Sequence, residues 1–284
     1  MTRAARRLEG RRVVITGAAR GIGAALAERL HERGARLALL GLEEERLAAV
    51  AGRCGDAHWA ACDVTDRVAV EHAVGDAVRV LGGLDVVVAN AGVAAQLPLV
   101  GGDPAVMEQT IAVNVLGVYY TLRAAGPHIS HPGGYALPIA SVGAVVHLQL
   151  MGAYSASKAA VEALGNTLRI ELRPSGARVG VAYFAEIDTE MTSRGFGTDA
   201  AAKLTARFKA FQRVAPLRVA IDALEAGIAR RARRIVAPSA AAPLLPLRML
   251  AQPIVDRAVQ RDLAKALEIA RAEDAPLTTP QPGA

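Results

Sequence analysis

The feature that most narrows the fold is the passage from Val13 to Gly23. An apolar, β-branched run, Val13-Val14-Ile15-Thr16, breaks directly into Gly17-Ala18-Ala19-Arg20-Gly21-Ile22-Gly23, and an Ala- and Leu-rich helical pattern follows. A strand that ends in closely spaced glycines and re-enters as a helix predicts a βαβ unit. Glycine allows the sharp turn and lets backbone approach a pyrophosphate, whose charge then faces the amino end of the helix expected from near Ile22. A glycine turn without a ligand would use the same residues; its place between strand and helix favours dinucleotide binding.

The rest of the chain repeats the alternation. Strands are predicted over Arg12 to Thr16, Arg36 to Leu40, His58 to Cys62, Leu84 to Ala89, Gly134 to Ala140, Arg178 to Phe184 and Arg234 to Ala237, with helices starting near Ile22, Glu43, Arg67, Pro104, Tyr154 and Ala220. Right-handed crossovers then give a single-domain α/β Rossmann fold over residues 1–238: a doubly wound, parallel seven-stranded sheet of order 3-2-1-4-5-6-7, with its ligand site at the carboxyl edge. Residues 188–212 lack a strand pattern and read as a substrate lid. Residues 239–284 read as an apolar extension with Pro243, Pro246 and Pro253, containing a helix and ending in a flexible tail.

Composition agrees and excludes several classes. The chain is 52% hydrophobic and 4% aromatic, which suits buried parallel strands under small-residue helices rather than a disordered chain or an all-β sandwich. The net charge of +6 admits a nucleic-acid partner, but the arginines cluster at Arg3 to Arg12 and Arg230 to Arg234 without aromatic or zinc-ligand companions, so none is expected. Two cysteines, Cys54 and Cys62, are too few for a disulfide framework and are not spaced as a metal site. No run of about 18 apolar residues and no apolar leader is present. A cytoplasmic, metal-free protein is expected.

Tyr154 and Lys158 lie four residues apart at a predicted helix start, so they share a face, and Ser141 ends the fifth strand thirteen residues before Tyr154. A phenol near pKa 10 is a poor base at neutral pH, and bringing it near 7 takes about 4 kcal/mol of preferential phenolate stabilisation. A nearby ammonium, a helix amino terminus and an oxidised nicotinamide all act in that direction, so a lowered Tyr154 is expected.

Taken together, Thr16-Gly17-x-x-x-Gly21-Ile22-Gly23, Asn90-Ala91-Gly92 and Tyr154-x-x-x-Lys158 resemble the short-chain dehydrogenase/reductase family over roughly Gly10 to Pro238. The resemblance implies an NAD(P)-dependent oxidoreductase in which Tyr154 passes a proton to or from the reacting oxygen, Ser141 hydrogen-bonds that oxygen, Lys158 also holds the nicotinamide ribose, and Asn114 anchors a proton-relay water. Gly17, Ala19, Arg20, Gly21, Ile22 and Gly23 would hold the dinucleotide, Asp63 and Val64 its adenine, Asn90, Ala91 and Gly92 the adenosine ribose, and Ile187 and Thr189 the carboxamide side. The helix from Tyr154 to Leu172 and its neighbour near Asn114 match the pair through which relatives form dimers and tetramers, implying a homo-oligomer.

The sequence departs from the family pattern in places. Gly41 stands where an acid would hold a 2′-hydroxyl, while Arg20 resembles the basic residue that meets a 2′-phosphate, so NADP(H) is favoured over NAD(H), with Glu43 as a rival hydroxyl acceptor. Phe184-Ala185 replaces the usual Pro-Gly pair. Val142, His147, Phe184 and Met191 are expected to line a pocket for a hydrophobic ketone or secondary alcohol. The extension reads first as a carboxyl-terminal helix packed on the core, with a cap on that pocket or on a subunit contact, or a peripheral membrane contact beside Arg230 to Arg234 and Arg248, as alternatives. Rival readings are a dinucleotide-binding regulator without turnover, which would lack Tyr, Lys or Ser, and a sugar-nucleotide epimerase or dehydratase, which would need a larger carboxyl-terminal domain.

Overall fold

The computed structural model describes residues 3–195, 198–200, 203, 214–260, 262–273 and 277–278. Strands β1 (Arg12–Thr16), β2 (Arg36–Gly41), β3 (His58–Ala61), β4 (Val86–Ala89), β5 (Tyr135–Pro138) and β6 (Arg178–Val179) form a parallel sheet of order β3-β2-β1-β4-β5-β6. Its residues alternate between two cores. Val13, Ile15, Leu37, Leu39, Val86 and Val88 face one, Val14, Ala38, Leu40, Val87 and Ala136 the other. Burial on both faces explains why these strands read as continuous apolar runs.

Local signals set the helices. After α1 (Arg3–Leu8), α2 (Gly21–Glu32) and α3 (Glu44–Arg53), helix α4 (Arg67–Leu81) begins where the Asp66 carboxylate accepts from Val68 N and Ala69 N, and it stops at Gly82, whose φ of 74° is left-handed. Helix α5 (Pro104–Ile111) starts on an Asp103 cap with proline in its first turn. It runs through a π-helical turn, Ala112–Leu116, into α6 (Gly117–Ile129). Helix α7 (Gly152–Glu171) carries the Tyr154 face, followed by α8 (Glu190–Gly195) and α9 (Leu217–Arg230).

The expected seven-stranded sheet is corrected to six strands plus a separate parallel pair, β7 (Val181–Phe184) with β8 (Arg234–Ala237). The reason is Gly180, which splits the predicted sixth strand. The Tyr135 hydroxyl crosses that point to donate to the Ala232 carbonyl at 2.8 Å, and a Cβ on Gly180 would fall onto both groups. A single bridge, Ile139 to Ala182, and the Ala140 N–H to Ala182 carbonyl bond of 2.8 Å keep the pair attached to β5.

The extension packs on the body. Leu244, Leu245, Ala251 and Val255, the last two on α10 (Arg248–Val259), join the second core, and Arg248 pairs with Glu162 of α7. Helix α11 (Leu263–Glu273) packs Ala266 and Ala270 with Leu150 and Ala200. Its last residue, Glu273, accepts from the backbone N–H groups of Asp199 and Ala200, so it clasps part of the predicted lid. The tail is pinned at Thr278, which exchanges two 3.0 Å hydrogen bonds with Ala94 and is buried. That corrects the expected flexible tail at residues 277–278; residues 274–276 and 279–284, and most of the lid beyond Gly195, lie outside the described residues.

Candidate active site

The strand order reverses between β1 and β4, and the two loops that leave these strands part there to form a crevice, as open α/β sheets require. The β1 loop holds Gly17 and Gly21 at φ of 65° and 56°. A Cβ on Gly17 would lie 2.7 Å from Ala91 Cα, and one on Gly23 would fall onto the Gly17 carbonyl. Asn90 locks the two loops together, donating from Nδ2 to the carbonyls of Thr16 and Gly17 at 3.0 and 3.1 Å. The turn is thus held open by glycine and braced by an amide before any ligand arrives.

The crevice deepens into a cavity of about 490 Å3 at the carboxyl edge, reaching from Arg20 and Glu43 to Tyr154, Phe184 and Met191. At one end Arg20 bridges Glu43 (Nε to Oε2, 2.9 Å) and Glu190 (Nη1 to Oε2, 2.9 Å), and Arg46 faces the same two carboxylates. Two buried polar atoms on the wall, Arg20 Nη2 and Ser155 Oγ, have no protein partner. Buried donors without acceptors are costly, and both are positioned to meet a polar ligand.

At the other end α7 and the end of β5 bring Tyr154, Lys158 and Ser141 together. Lys158 is 4% exposed; its Nζ donates to the Ile139 carbonyl at 3.0 Å and lies 5.6 Å from the Tyr154 ring centroid. Ser141 Oγ donates to the Phe184 carbonyl at 3.1 Å, accepts from Gly143 N at 3.0 Å, and hydrogen-bonds the Tyr154 phenol. Burial pushes Tyr154 above its ordinary pKa, against the opposing pull of Ser141, and lowers Lys158 to about 8. Desolvation therefore dominates at Tyr154 in this apolar pocket, and the expected lowering depends on the positive charge that an oxidised nicotinamide would bring.

Asn114 sits in the π-helical turn, fully buried. Its Oδ1 accepts from Val93 N (2.8 Å), and its Nδ2 donates to the Val93 carbonyl and to Ser157 Oγ, both at 2.9 Å. Ser157 in turn donates to the Tyr154 carbonyl at 2.7 Å. The extra residue of the π turn aims this amide inward, tying the β4 loop to the first turn of α7.

A family model described as short chain dehydrogenase matches residues 11–199. The chain belongs to the short-chain dehydrogenase family. It is 34% identical over 190 residues to D-threitol dehydrogenase of Mycolicibacterium smegmatis, covering 65% of this chain and 73% of that protein. It is 32% identical over 210 residues to trans-4-hydroxycyclohexanecarboxylate dehydrogenase of Sinomonas cyclohexanicum, covering 69% and 81%. A short chain dehydrogenase from Burkholderia cenocepacia solved in complex with NADP superposes with a TM-score of 0.73 at 27% identity, over 89% of this chain and 98% of that one. A Burkholderia phymatum enzyme in complex with NAD shares the fold, with a TM-score of 0.76 at 24% identity over 89% and 96%. Such relatives are dehydrogenases and reductases, and this short-chain dehydrogenase is an oxidoreductase.

Most residues singled out from the sequence do line its cavity: Gly17, Ala19, Arg20, Gly21, Ile22, Val64, Asn90, Ala91, Gly92, Ser141, Val142, Tyr154, Lys158, Phe184, Ile187, Thr189 and Met191. Gly23 and Asn114 support the wall from behind. Asp63 does not line it, its carboxylate accepting from Thr65 N and Oγ1 at 2.8 Å. His147 is corrected out of the pocket: Gln252 of α10 clamps its backbone N–H and carbonyl at 2.7 and 2.9 Å, and the residue is exposed. Missed were Glu186, half-buried on the wall and raised in pKa by burial, and Leu244 and Thr278 from the extension. Their arrival depends on long-range packing, which no local pattern signals.

Proposed function

We propose that this chain transfers a hydride between a nicotinamide dinucleotide and a hydrophobic ketone or secondary alcohol, with Tyr154 as the general acid/base. The observation that carries the reading is the opening of the braced glycine turn and of Tyr154, Lys158 and Ser141 onto one cavity. The dinucleotide fits, because Gly17 and Gly23 leave backbone bare where a Cβ would clash, because Gly21 takes a left-handed φ that turns the loop, and because Arg20 Nη2 and Ser155 Oγ are unanswered donors on its path. When bound, it supplies the hydride acceptor or donor at the nicotinamide ring.

The residues do the rest. Burial keeps the Tyr154 phenol protonated at neutral pH, so it is set to give its proton to a carbonyl oxygen in the reducing direction. Ser141 steadies that oxygen and Lys158 supplies positive charge beneath the phenol as its proton leaves. Asn114 positions Val93 and, through Ser157, the Tyr154 turn. Val142, Val146, Met151, Phe184 and Met191 make the substrate end apolar and exclude water. NADP(H) is favoured by the open Nη2 of Arg20 with Arg46 beside it, while Glu43 and Glu190 oppose the added phosphate. Self-association uses α6 and α7, where Tyr119 and Ile170 stay exposed, as does Leu116 in the π turn just before α6, and two free buried thiols suit the cytoplasm.

The test is Tyr154→Phe assayed with NADPH and NADH against a panel of hydrophobic ketones. Turnover should fall by about a hundredfold to ten-thousandfold, while the thermal shift caused by the preferred dinucleotide persists and is larger with the phosphorylated form. Retained turnover would end the assignment.

A further inference from the structure

A second cleft lies at the amino edge of the strands, opposite the cavity. It is an open groove of about 530 Å3 lined by Arg169, Arg173, Arg178, Arg230, Arg231 and Arg233, with no carboxylate and no aromatic ring among its lining residues. Topology gathers them: α7 ends beside the start of β6, and α9 ends beside the start of β8. Six guanidiniums thus converge on one groove.

Helix carboxyl ends attract cations, since their last carbonyls carry partial negative charge. That accounts for Arg169 and Arg230, in the last turns of α7 and α9. It does not account for Arg173, Arg178 and Arg233, which lie outside both helices. None of the six forms an ion pair with a carboxylate among the described residues.

Two of them are nevertheless oriented by neutral acceptors. Arg169 donates from Nε to the Val179 carbonyl at 2.8 Å and from Nη1 to Asn166 Oδ1 at 2.6 Å. Arg231 donates to the Pro132 carbonyl from a left-handed backbone, φ 50°, at a helix end where glycine is the usual residue. These contacts hold the guanidiniums in place without cancelling their charge. Burial and the neighbouring guanidiniums lower the pKa of both: Arg233 and Arg234 act on Arg169, Arg178 and Arg11 on Arg231.

We propose that this cleft binds a ligand carrying two or more adjacent phosphate groups. Guanidinium forks match phosphate oxygens two by two, and one phosphate alone would leave most of the six unanswered. With no ring to stack a base, recognition is of the phosphates themselves. A soluble polyphosphate and a polyphosphorylated lipid headgroup share that chemistry.

Inorganic tripolyphosphate, titrated calorimetrically into the full chain at fixed ionic strength, should bind saturably. The Arg173→Gln/Arg233→Gln double variant should bind at least about tenfold more weakly, and Arg173→Lys/Arg233→Lys, which keeps the charge and loses the forks, should fall between. Ketone reduction should be unchanged in both. Absence of saturable binding, or equal binding by the double variant, overturns the assignment, the latter because the phosphate would then sit on the glycine turn. Pelleting with phosphatidylcholine vesicles containing phosphatidylinositol bisphosphate, lost in the double variant, would identify a lipid headgroup as the source. Tripolyphosphate binding without pelleting would identify a soluble one.

Discussion

The two clefts, one at each edge of the sheet, treat charge in opposite ways. At the carboxyl edge, Arg20 and Arg46 share Glu43 and Glu190, so the cations at that end of the cavity are matched by carboxylates, while Lys158 keeps its charge beside a backbone carbonyl. At the amino edge six arginines meet no carboxylate among the described residues. Each edge also holds a carboxylate that runs against this contrast. Asp85 at the amino edge is buried and clasped by Arg12, through Nε, Nη2 and the backbone N–H, all at 2.9 Å. Glu186 at the carboxyl edge is a wall carboxylate raised in pKa by burial alone. Around the two clefts pairing tracks position: Arg20 and Arg46 are matched by carboxylates, and the six arginines of the amino-edge cleft are not, which leaves a field that favours anions there.

Removing the exceptions sharpens the contrast. Asp85→Asn takes a clasped carboxylate from the amino edge and leaves Arg12 with a neutral acceptor, which should cost about 3 kcal/mol of stability in denaturant unfolding. Burial raises Asp85, but the Arg12 bonds outweigh it and hold the group below its ordinary value. Its contribution is present above the unfolded carboxylate pKa of about 3.9 and fades as pH falls through the lower folded value. Acid titration of wild type and variant should therefore converge at low pH.

At the carboxyl edge, Gly23→Ala sets a methyl against the Gly17 carbonyl. Overpacking of about 1–3 kcal/mol there should weaken dinucleotide binding about tenfold or more, read by calorimetry, with little change in tripolyphosphate binding at the arginine cleft. The smallest effect belongs to Glu186→Gln. Because folding raises this carboxyl, its ionisation opposes the fold as pH rises past the unfolded value, so the variant should melt slightly higher than wild type at neutral pH and match it near pH 4. A wild-type advantage at neutral pH would show that Glu186 has a partner in solution.

Much of this could be read along the chain. The glycine turn, the order of β1 to β5 and the convergence of Ser141, Tyr154 and Lys158 follow from patterns confined to a few residues each. A parallel strand must end at the carboxyl edge, and residues four apart on a helix must share a face. The misreadings arose where one residue answers to a distant one: Gly180 to the Tyr135 phenol, His147 to Gln252, Thr278 to Ala94.

The sequence by itself determined the alternation of strand and helix, the cofactor turn and the chemistry-bearing side chains, because these depend on local period and on which residues can turn or titrate. Only the tertiary structure decided that the sheet breaks at Gly180, that the extension walls the pocket with Leu244 and Thr278, and that burial pushes Tyr154 upward. Those outcomes depend on burial and on contacts between residues many positions apart, and desolvation has no signature in a linear pattern.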